Sequence, residues 1–168
     1  MIQPSKVLFL DVDGVCNCSS TTTPAFNGAI GIDKGMAFRV GKITLAVPDL
    51  KVVLSSSWKH WPAGRAEIEQ KVVPLYDVTP EAPRDPLGGT QRGTEIQMWL
   101  DQHPEVEKYA ILDDDTNILD NQKPNFFKTF WSEGLTEETM NKVISHFNET
   151  NMEKEGRDDD GGNKRGRE

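Results

Sequence analysis

Lys6-Val7-Leu8-Phe9-Leu10-Asp11-Val12-Asp13-Gly14-Val15 decides the reading of this chain. A short apolar run predicts a buried strand. It stops on two acids spaced Asp-x-Asp, with a glycine directly after. Strands buried on both faces are continuously apolar, and in open α/β sheets chemistry sits outside their carboxyl ends. Two carboxylates at one strand end repel each other unless something compensates, and a bound divalent cation is the usual compensation. Gly14 allows a turn open to few other residues, so backbone N–H groups can approach a bound group closely. Taken alone, the stretch also reads as a strand followed by an acidic turn. Its weight depends on what the rest of the chain supplies.

Two further apolar runs carry that weight. Lys51–Leu54 leads into Ser55-Ser56-Ser57-Trp58-Lys59-His60-Trp61, and Tyr109–Leu112 stops on Asp113-Asp114-Asp115. Phe126–Phe130 predicts a fourth strand. Residues 63–73 predict a helix with Ile68 and Val72 at i,i+4. A second helix opens at Thr94, with Ile96, Trp99 and Leu100 on one face, and ends before Pro104. Thr136 caps a last helix that aligns Met140, Val143, Ile144 and Phe147. Residues 16–34 are rich in Ser, Thr, Gly, Asn and Pro and predict a loop or small flap; residues 74–91, with four prolines, predict a loop. Residues 35–48 carry two patterns. Met36/Phe38/Val40 and Ile43/Leu45/Val47 alternate as in a strand, but their place between two parallel strands calls for a crossover helix, here taken to end near Pro48. Strands alternating with helices predict an α/β fold with a doubly wound parallel sheet. Such a sheet brings Asp11 and Asp13, the serines, and Asp113 and Asp114 to one edge.

A chain of 168 residues suits one domain, taken as residues 1–148, followed by a charged, disordered tail over 149–168. The Asp158-Asp159-Asp160 run in that tail reads as solvated. A net charge of −8 and a pI of about 4.9 argue against a broad nucleic-acid-binding surface and against anionic membranes, while leaving room for a narrow basic site. No apolar stretch approaches the ~20 residues that span a bilayer, and no signal peptide is evident at the N-terminus. The expectation is a soluble, cytoplasmic protein. Cys16 and Cys18 are too close for a mutual disulfide and read as small loop residues; a zinc site would need ligands, and His60, His103 and His146 lie far away in sequence.

Clustered carboxylates on rigid strand ends offer hard oxygen ligands to Mg²⁺. A hydroxyl and backbone amides beside them can hold phosphate oxygens, and one cation must offset charge as a phosphoryl group transfers. Arg92, just before the helix that leads into the third acidic strand, is the best candidate, since guanidinium suits bidentate phosphate contact. Trp58, Trp61, Lys59 and His60 suit either contact with a nucleotide or ordinary packing and solvation.

These residues resemble a known family. Leu8-Phe9-Leu10-Asp11-Val12-Asp13-Gly14-Val15 looks like the first motif of the haloacid dehalogenase-like (HAD) superfamily. Val53-Leu54-Ser55-Ser56 resembles the second motif, and Ile111-Leu112-Asp113-Asp114 the fourth. Ser55-Ser56-Ser57-Trp58-Lys59, Arg92-Gly93-Thr94-Glu95-Ile96 with Trp99-Leu100, and Leu112-Asp113-Asp114-Asp115 are similar to a narrower branch, the small HAD proteins of the Swiss Army Knife RNA repair type, related to polynucleotide-kinase phosphatase domains. The resemblance covers residues 6–147. It implies a HAD-like three-layer sandwich, and the short inserts at 16–34 and 59–91 imply a capless or minimally capped one. An open site of that kind suits a phosphate at the end of a larger molecule, or a substrate gripped mainly by its phosphate.

The resemblance further implies that Asp11 is the nucleophile and forms an aspartyl-phosphate, with Asp13 as general acid and then base. Mg²⁺ would be held by Asp11, the backbone carbonyl of Asp13, and Asp114, with Asp113 in support. Ser56 would bind a phosphate oxygen if the motif is aligned on Trp58; Ser55, directly after the apolar run, is the alternative. The superfamily's third motif is usually a lysine, and here Arg92 takes that place with Lys59 in reserve. The expected activity is a Mg²⁺-dependent phosphomonoesterase acting on nucleotide or nucleic-acid end phosphates, its substrate a phosphorylated small molecule or a nucleic-acid terminus. The rival readings are a small-metabolite phosphatase, a catalytically idle partner-binding module, and a phosphoacceptor signalling receiver. The receiver would use Lys128 but lacks its acceptor Asp where this chain has serines.

Overall fold

The computed structural model describes residues 4–88 and 91–149. Among them, β1 (Lys6–Leu10), β2 (Leu50–Leu54), β3 (Asp77–Val78), β4 (Lys108–Asp113) and β5 (Phe126–Lys128) form one parallel sheet ordered β3-β2-β1-β4-β5. Four helices join and flank them: α1 (Lys34–Ala46), α2 (Pro62–Lys71), α3 (Arg92–Asp101) and α4 (Glu137–Asn148). The chain steps outward from β1 to β2 and β3, then returns through α3 to β4 on the other side of β1. The strand order therefore reverses between β1 and β4, the place where open α/β sheets bind ligands.

Alternate residues of β1 build two cores. Leu8 and Leu10 pack with Val52, Leu54 and Leu112 beneath Val40 and Ile43 of α1, Ile68 of α2, and Val143 and Phe147 of α4. Val7 and Phe9 pack on the opposite face with Val53, Ile111 and the α3 residues Ile96 and Trp99. The α/β three-layer arrangement is thus that of a doubly wound sheet.

The ambiguous stretch before Pro48 is helical, as the crossover geometry required. Asp33 caps α1 by accepting the Met36 N–H at 3.0 Å. Met36, Ala37, Val40 and Ile43 face inward, whereas Phe38 and Leu45 are 64% and 87% exposed, so the apparent alternation was a coincidence of surface apolar residues. Thr136 caps α4 as its position predicts, accepting the Thr139 N–H. Two expectations need correction. Residues 74–91 are not all loop: Asp77–Val78 adds a fifth strand at the sheet edge, too short to show an apolar run. The strand after Asn125 stops at Lys128 instead of Phe130. No helix of the described residues is long and apolar enough to cross a membrane. The expected tail beyond Glu149, with its Asp158-Asp159-Asp160 run, lies outside the described residues.

Trp99 ties the sheet to α3. Its ring meets Phe9 edge-on with centroids 5.4 Å apart, and its indole N–H donates to Asp77 Oδ2 at 2.8 Å, anchoring β3. Replacing a buried aromatic side chain by alanine costs about 3–5 kcal/mol. Urea unfolding of Trp99→Ala should show a loss of that size, and Trp99→Phe, which gives up chiefly the hydrogen bond, a loss of about 1 kcal/mol.

Candidate active site

The strand ends are stitched together beyond the strands themselves. Asp11 N–H donates to Leu112 O at 3.0 Å, Ser55 N–H to Leu10 O at 2.9 Å, and Thr129 N–H to Asp113 O at 2.9 Å. Each polar residue after a strand is therefore held by its neighbour's backbone. Asp11, Asp113 and Asp114 can each present a carboxylate oxygen within 4.8 Å of the others. Gly14 makes this approach possible. Its φ is +80°, and a Cβ there would overlap the Asp114 carboxylate.

Arg92 enters this cluster from the first residue of α3. Its Nη2 lies 3.2 Å from Asp11 Oδ1 and its Nε 2.8 Å from Asp113 Oδ2. The first contact is a hydrogen bond; the second lacks hydrogen-bond alignment and is electrostatic. Burial, and then the charge of Asp113, push the Asp11 carboxyl well above the usual carboxylate range, against the pull of Arg92. Burial likewise raises Asp113, and burial together with Asp113 raises Asp114. For Arg92, burial is the largest single influence and disfavours its charge, but Asp11, Asp113 and Glu95 together outweigh it. The loop after β4 fixes this arginine in place. Gly93 N–H donates to Asn117 O at 2.9 Å, Gln122 Nε2 donates to Gly93 O at 2.8 Å, and a Cβ on Gly93 would come within 2.7 Å of the Leu119 backbone nitrogen.

Asp13, two residues after Asp11, has a different environment. It is exposed, and its two oxygens accept from neutral donors: Oδ1 from Asn17 Nδ2 at 2.9 Å and Oδ2 from Trp58 Nε1 at 3.1 Å. Asn17 also accepts the Gly14 N–H at 2.9 Å, and Thr129 Oγ1 donates to Gly14 O at 2.6 Å. The turn is thus fixed on both sides.

Beside the acids lies a cavity of about 330 Å³, lined in part by Ser55, Lys59, His60, Arg84 and Arg92. Ser55 Oγ is buried and has no hydrogen-bond partner. Ser56 Oγ instead caps the 3₁₀ turn Ser57–His60 by accepting the Trp58 N–H at 3.3 Å. Lys59 is buried, with Nζ 2.7 Å from Glu95 Oε2 and donating to Thr79 Oγ1 and Pro80 O. Burial lowers its pKa, against the pull of Glu95.

A family profile described as the HAD domain in Swiss Army Knife RNA repair proteins matches residues 7–140. The chain belongs to this family. The HAD domain of the effector protein Lem4 from Legionella pneumophila shares the fold, with a TM-score of 0.51 over 87% of this chain and 97% of that one, at 12% identity. No curated protein matches the sequence significantly.

The HAD domain gathers Asp11, Asp113, Asp114, Arg92 and Gly14 at one point, with Asp13 on the adjoining turn and Ser55 and Lys59 in the cavity. Ser55 Oγ lines the cavity without a partner, whereas Ser56 Oγ accepts the cap hydrogen bond. The Gly14 N–H is turned to Asn17, so the glycine's visible task is to make room for Asp114. Lys59 is committed to Glu95, leaving Arg92 as the cation against the nucleophile candidate. Lys128 donates to Asp114 O at 2.8 Å and so braces the acidic turn. Sequence reasoning missed Asn17, Thr129 and Gln122, polar residues whose buried side chains bond backbone or Asp13; no local motif marks them.

The donor set fits Mg²⁺, the cation that HAD domains generally use. Hard oxygens converge, their ionised forms are disfavoured by burial and repulsion, and Asp113 Oδ2 is buried without an aligned donor. A ligand at a hundredfold excess over its Kd that binds only the folded state adds about 2.7 kcal/mol, which corresponds to about 5–10 °C in a chain of this size. Differential scanning fluorimetry should show a Mg²⁺-dependent rise in Tm of that order, largely absent in Asp114→Asn. Because the carboxyl pKa values are raised in the fold, the stability that protonation lends them is complete below their unfolded pKa and is lost as pH rises through the folded values. The Mg²⁺-dependent gain should therefore be larger at pH 7.5 than at pH 5.

Proposed function

We propose that this HAD domain is a Mg²⁺-dependent phosphomonoesterase that works through an aspartyl-phosphate on Asp11 and acts on nucleotides or nucleic-acid end phosphates. One observation carries the reading: the two acids of a single turn occupy opposite environments. Asp11 is 4% exposed, inside a carboxylate cluster with Arg92 against it, whereas Asp13 is exposed and held by neutral donors. Carboxyl groups placed in contrasting surroundings take separate roles; burial alone would keep Asp11 neutral, and it is Arg92, with the cation the cluster would hold, that favours its ionised, nucleophilic form. Family membership supports phosphatase chemistry in general; the substrate class is our own assignment, drawn from the open cavity and the RNA-repair branch.

Asp11 attacks phosphorus in line, forming its acyl-phosphate bond as the phosphorus–oxygen bond to the leaving group breaks. Asp13, protonated, gives its proton to the departing oxygen. As a carboxylate it then takes a proton from the water that attacks the aspartyl-phosphate, releasing inorganic phosphate and restoring Asp11. Arg92 and the Ser55 hydroxyl donate to the phosphoryl oxygens, and α3 holds Arg92 ready without reorganisation. Held by Asp11, Asp114 and the Asp13 carbonyl, Mg²⁺ would offset carboxylate repulsion and the charge that builds on the transferring group.

A phosphate-release assay over mononucleotides and end-phosphorylated oligonucleotides tests the reading. EDTA and Asp11→Asn should each abolish release, and Asp13→Asn should lower kcat by about 10²–10⁴-fold, the usual worth of general acid–base catalysis. Arg92→Ala should cost about 10²–10³-fold, the range for one electrostatic donor. Absence of turnover with every phosphomonoester, Mg²⁺ being bound, would sink the proposal.

Trp58→Phe keeps the ring but removes the donor to Asp13. Its kcat/KM should fall most for poor leaving groups such as alkyl phosphates and least for nitrophenyl phosphate, which departs without a proton. A uniform loss across leaving groups would mark Trp58 as packing alone.

A further inference from the structure

In-line displacement puts the leaving oxygen opposite Asp11 and beside Asp13. Whatever that oxygen carries must then lie against the groups that surround Asp13. One of these is Trp58. Its indole N–H holds Asp13 Oδ2 at 3.1 Å, while its ring meets Phe26 edge-on, centroids 5.4 Å apart. Phe26 in turn leans on Trp61, with centroids at 6.1 Å and planes at 48°. One indole thus separates the proton donor from a pair of aromatic rings. Trp58 itself is buried, but Phe26 and Trp61 are 38% and 45% exposed.

The chain takes trouble to present these rings to water. Phe26 sits in a narrow turn closed by the antiparallel Pro24–Ile30 bridge, and its own N–H donates to Glu67 Oε2 at 2.9 Å, pinning the turn to α2. Glu67 is buried and steadied by Lys71 at 2.8 Å. Gly64 leaves the space in which Phe26 rests: a Cβ there would lie 3.1 Å from Phe26 Cε1. A pinned, exposed aromatic pair beside a catalytic acid offers a flat ligand stacking area, whereas an aliphatic leaving group would leave much of it wet.

We infer that Phe26 and Trp61 form the leaving-group subsite and that the group they receive is a nucleoside, its base lying against their rings. The inference rests on the phosphatase reading above and narrows it. Of the four residues whose sequence suggested nucleotide contact, Trp58 and Lys59 are buried and committed to Asp13 and Glu95, which leaves Trp61 with Phe26, and His60 on its flank at 6.4 Å.

Two measurements test it. The first is the ratio of kcat/KM for AMP, supplied as the 3′- and the 5′-phosphate, to that for glycerol 3-phosphate. Loss of a stacked aromatic weakens binding of a base by about tenfold or more, so the ratio should fall by at least that much in Phe26→Ala/Trp61→Ala. A ratio that stays constant, including a parallel loss on both substrates, overturns the subsite. The second is tryptophan fluorescence of the Asp11→Asn protein titrated with AMP, which needs no turnover. AMP should quench the emission, and Trp61→Phe in the same background should remove most of that quenching. Quenching that is absent, or unchanged by Trp61→Phe, also overturns the subsite. If the wild-type protein hydrolyses no phosphomonoester at all, the phosphatase reading falls, and the titration alone decides whether the rings receive a nucleoside.

Discussion

Three carboxylates crowd the ends of two adjacent strands, and their mutual repulsion is the constraint that the surrounding structure accommodates. β1 and β4 are neighbours, so Asp11 and Asp113 cannot move apart without breaking the ladder between them. Gly14 lets Asp114 close in from the side. Arg92 sits at a helix N-terminus, where a positive charge runs against the helix dipole. The carboxylates hold it there, and the loop over residues 117–122 clamps its backbone. An uncompensated buried charge costs several kcal/mol, which is why the Arg92 guanidinium matters to the fold.

The same turn sets two like residues in unlike surroundings. Asp11 and Asp13 have identical side chains two residues apart along the turn. Asp11 continues the line of β1 into the cluster, while Asp13 turns out to meet an amide and an indole. The first environment disfavours a negative charge unless a cation answers it, as Arg92 does in part; the second leaves the carboxylate open to water beside two neutral donors. The indole that steadies Asp13 comes from the polar segment after β2, so the geometry of the acid depends on the register between β1 and β2.

Much of this was legible from residue order. Continuous apolar runs ending in acids mark buried parallel strands, and the sheet edge they share follows from topology alone. Asp11, Arg92, Asp113 and Asp114 converge because each adjoins the carboxyl end of a strand or starts a helix at that edge. The choice between Ser55 and Ser56 was not legible. Residue order does not say which hydroxyl the following 3₁₀ turn takes as its cap and which one faces the cavity, a matter of tertiary geometry. β3 was hidden because two edge residues need no apolar pattern to pair. Asn17, Thr129 and Gln122 act over long sequence separations through buried hydrogen bonds, which leave no periodic trace. Phe26, at 16 residues' remove from the strand it serves, carried no signal either, since nothing in the flap's composition says where a ring will come to rest.

The sheet's uneven length has a consequence for its motions. β1 pairs along its whole length on both sides, while β3 contributes two residues and β5 three. Opening free energies in native proteins run from near zero at frayed margins to the global value in central strands. Here the margins can fray while Asp11 stays within the last segment to exchange its amide protons. The short margins also present few unpaired backbone groups to another strand, which guards against edge-to-edge association.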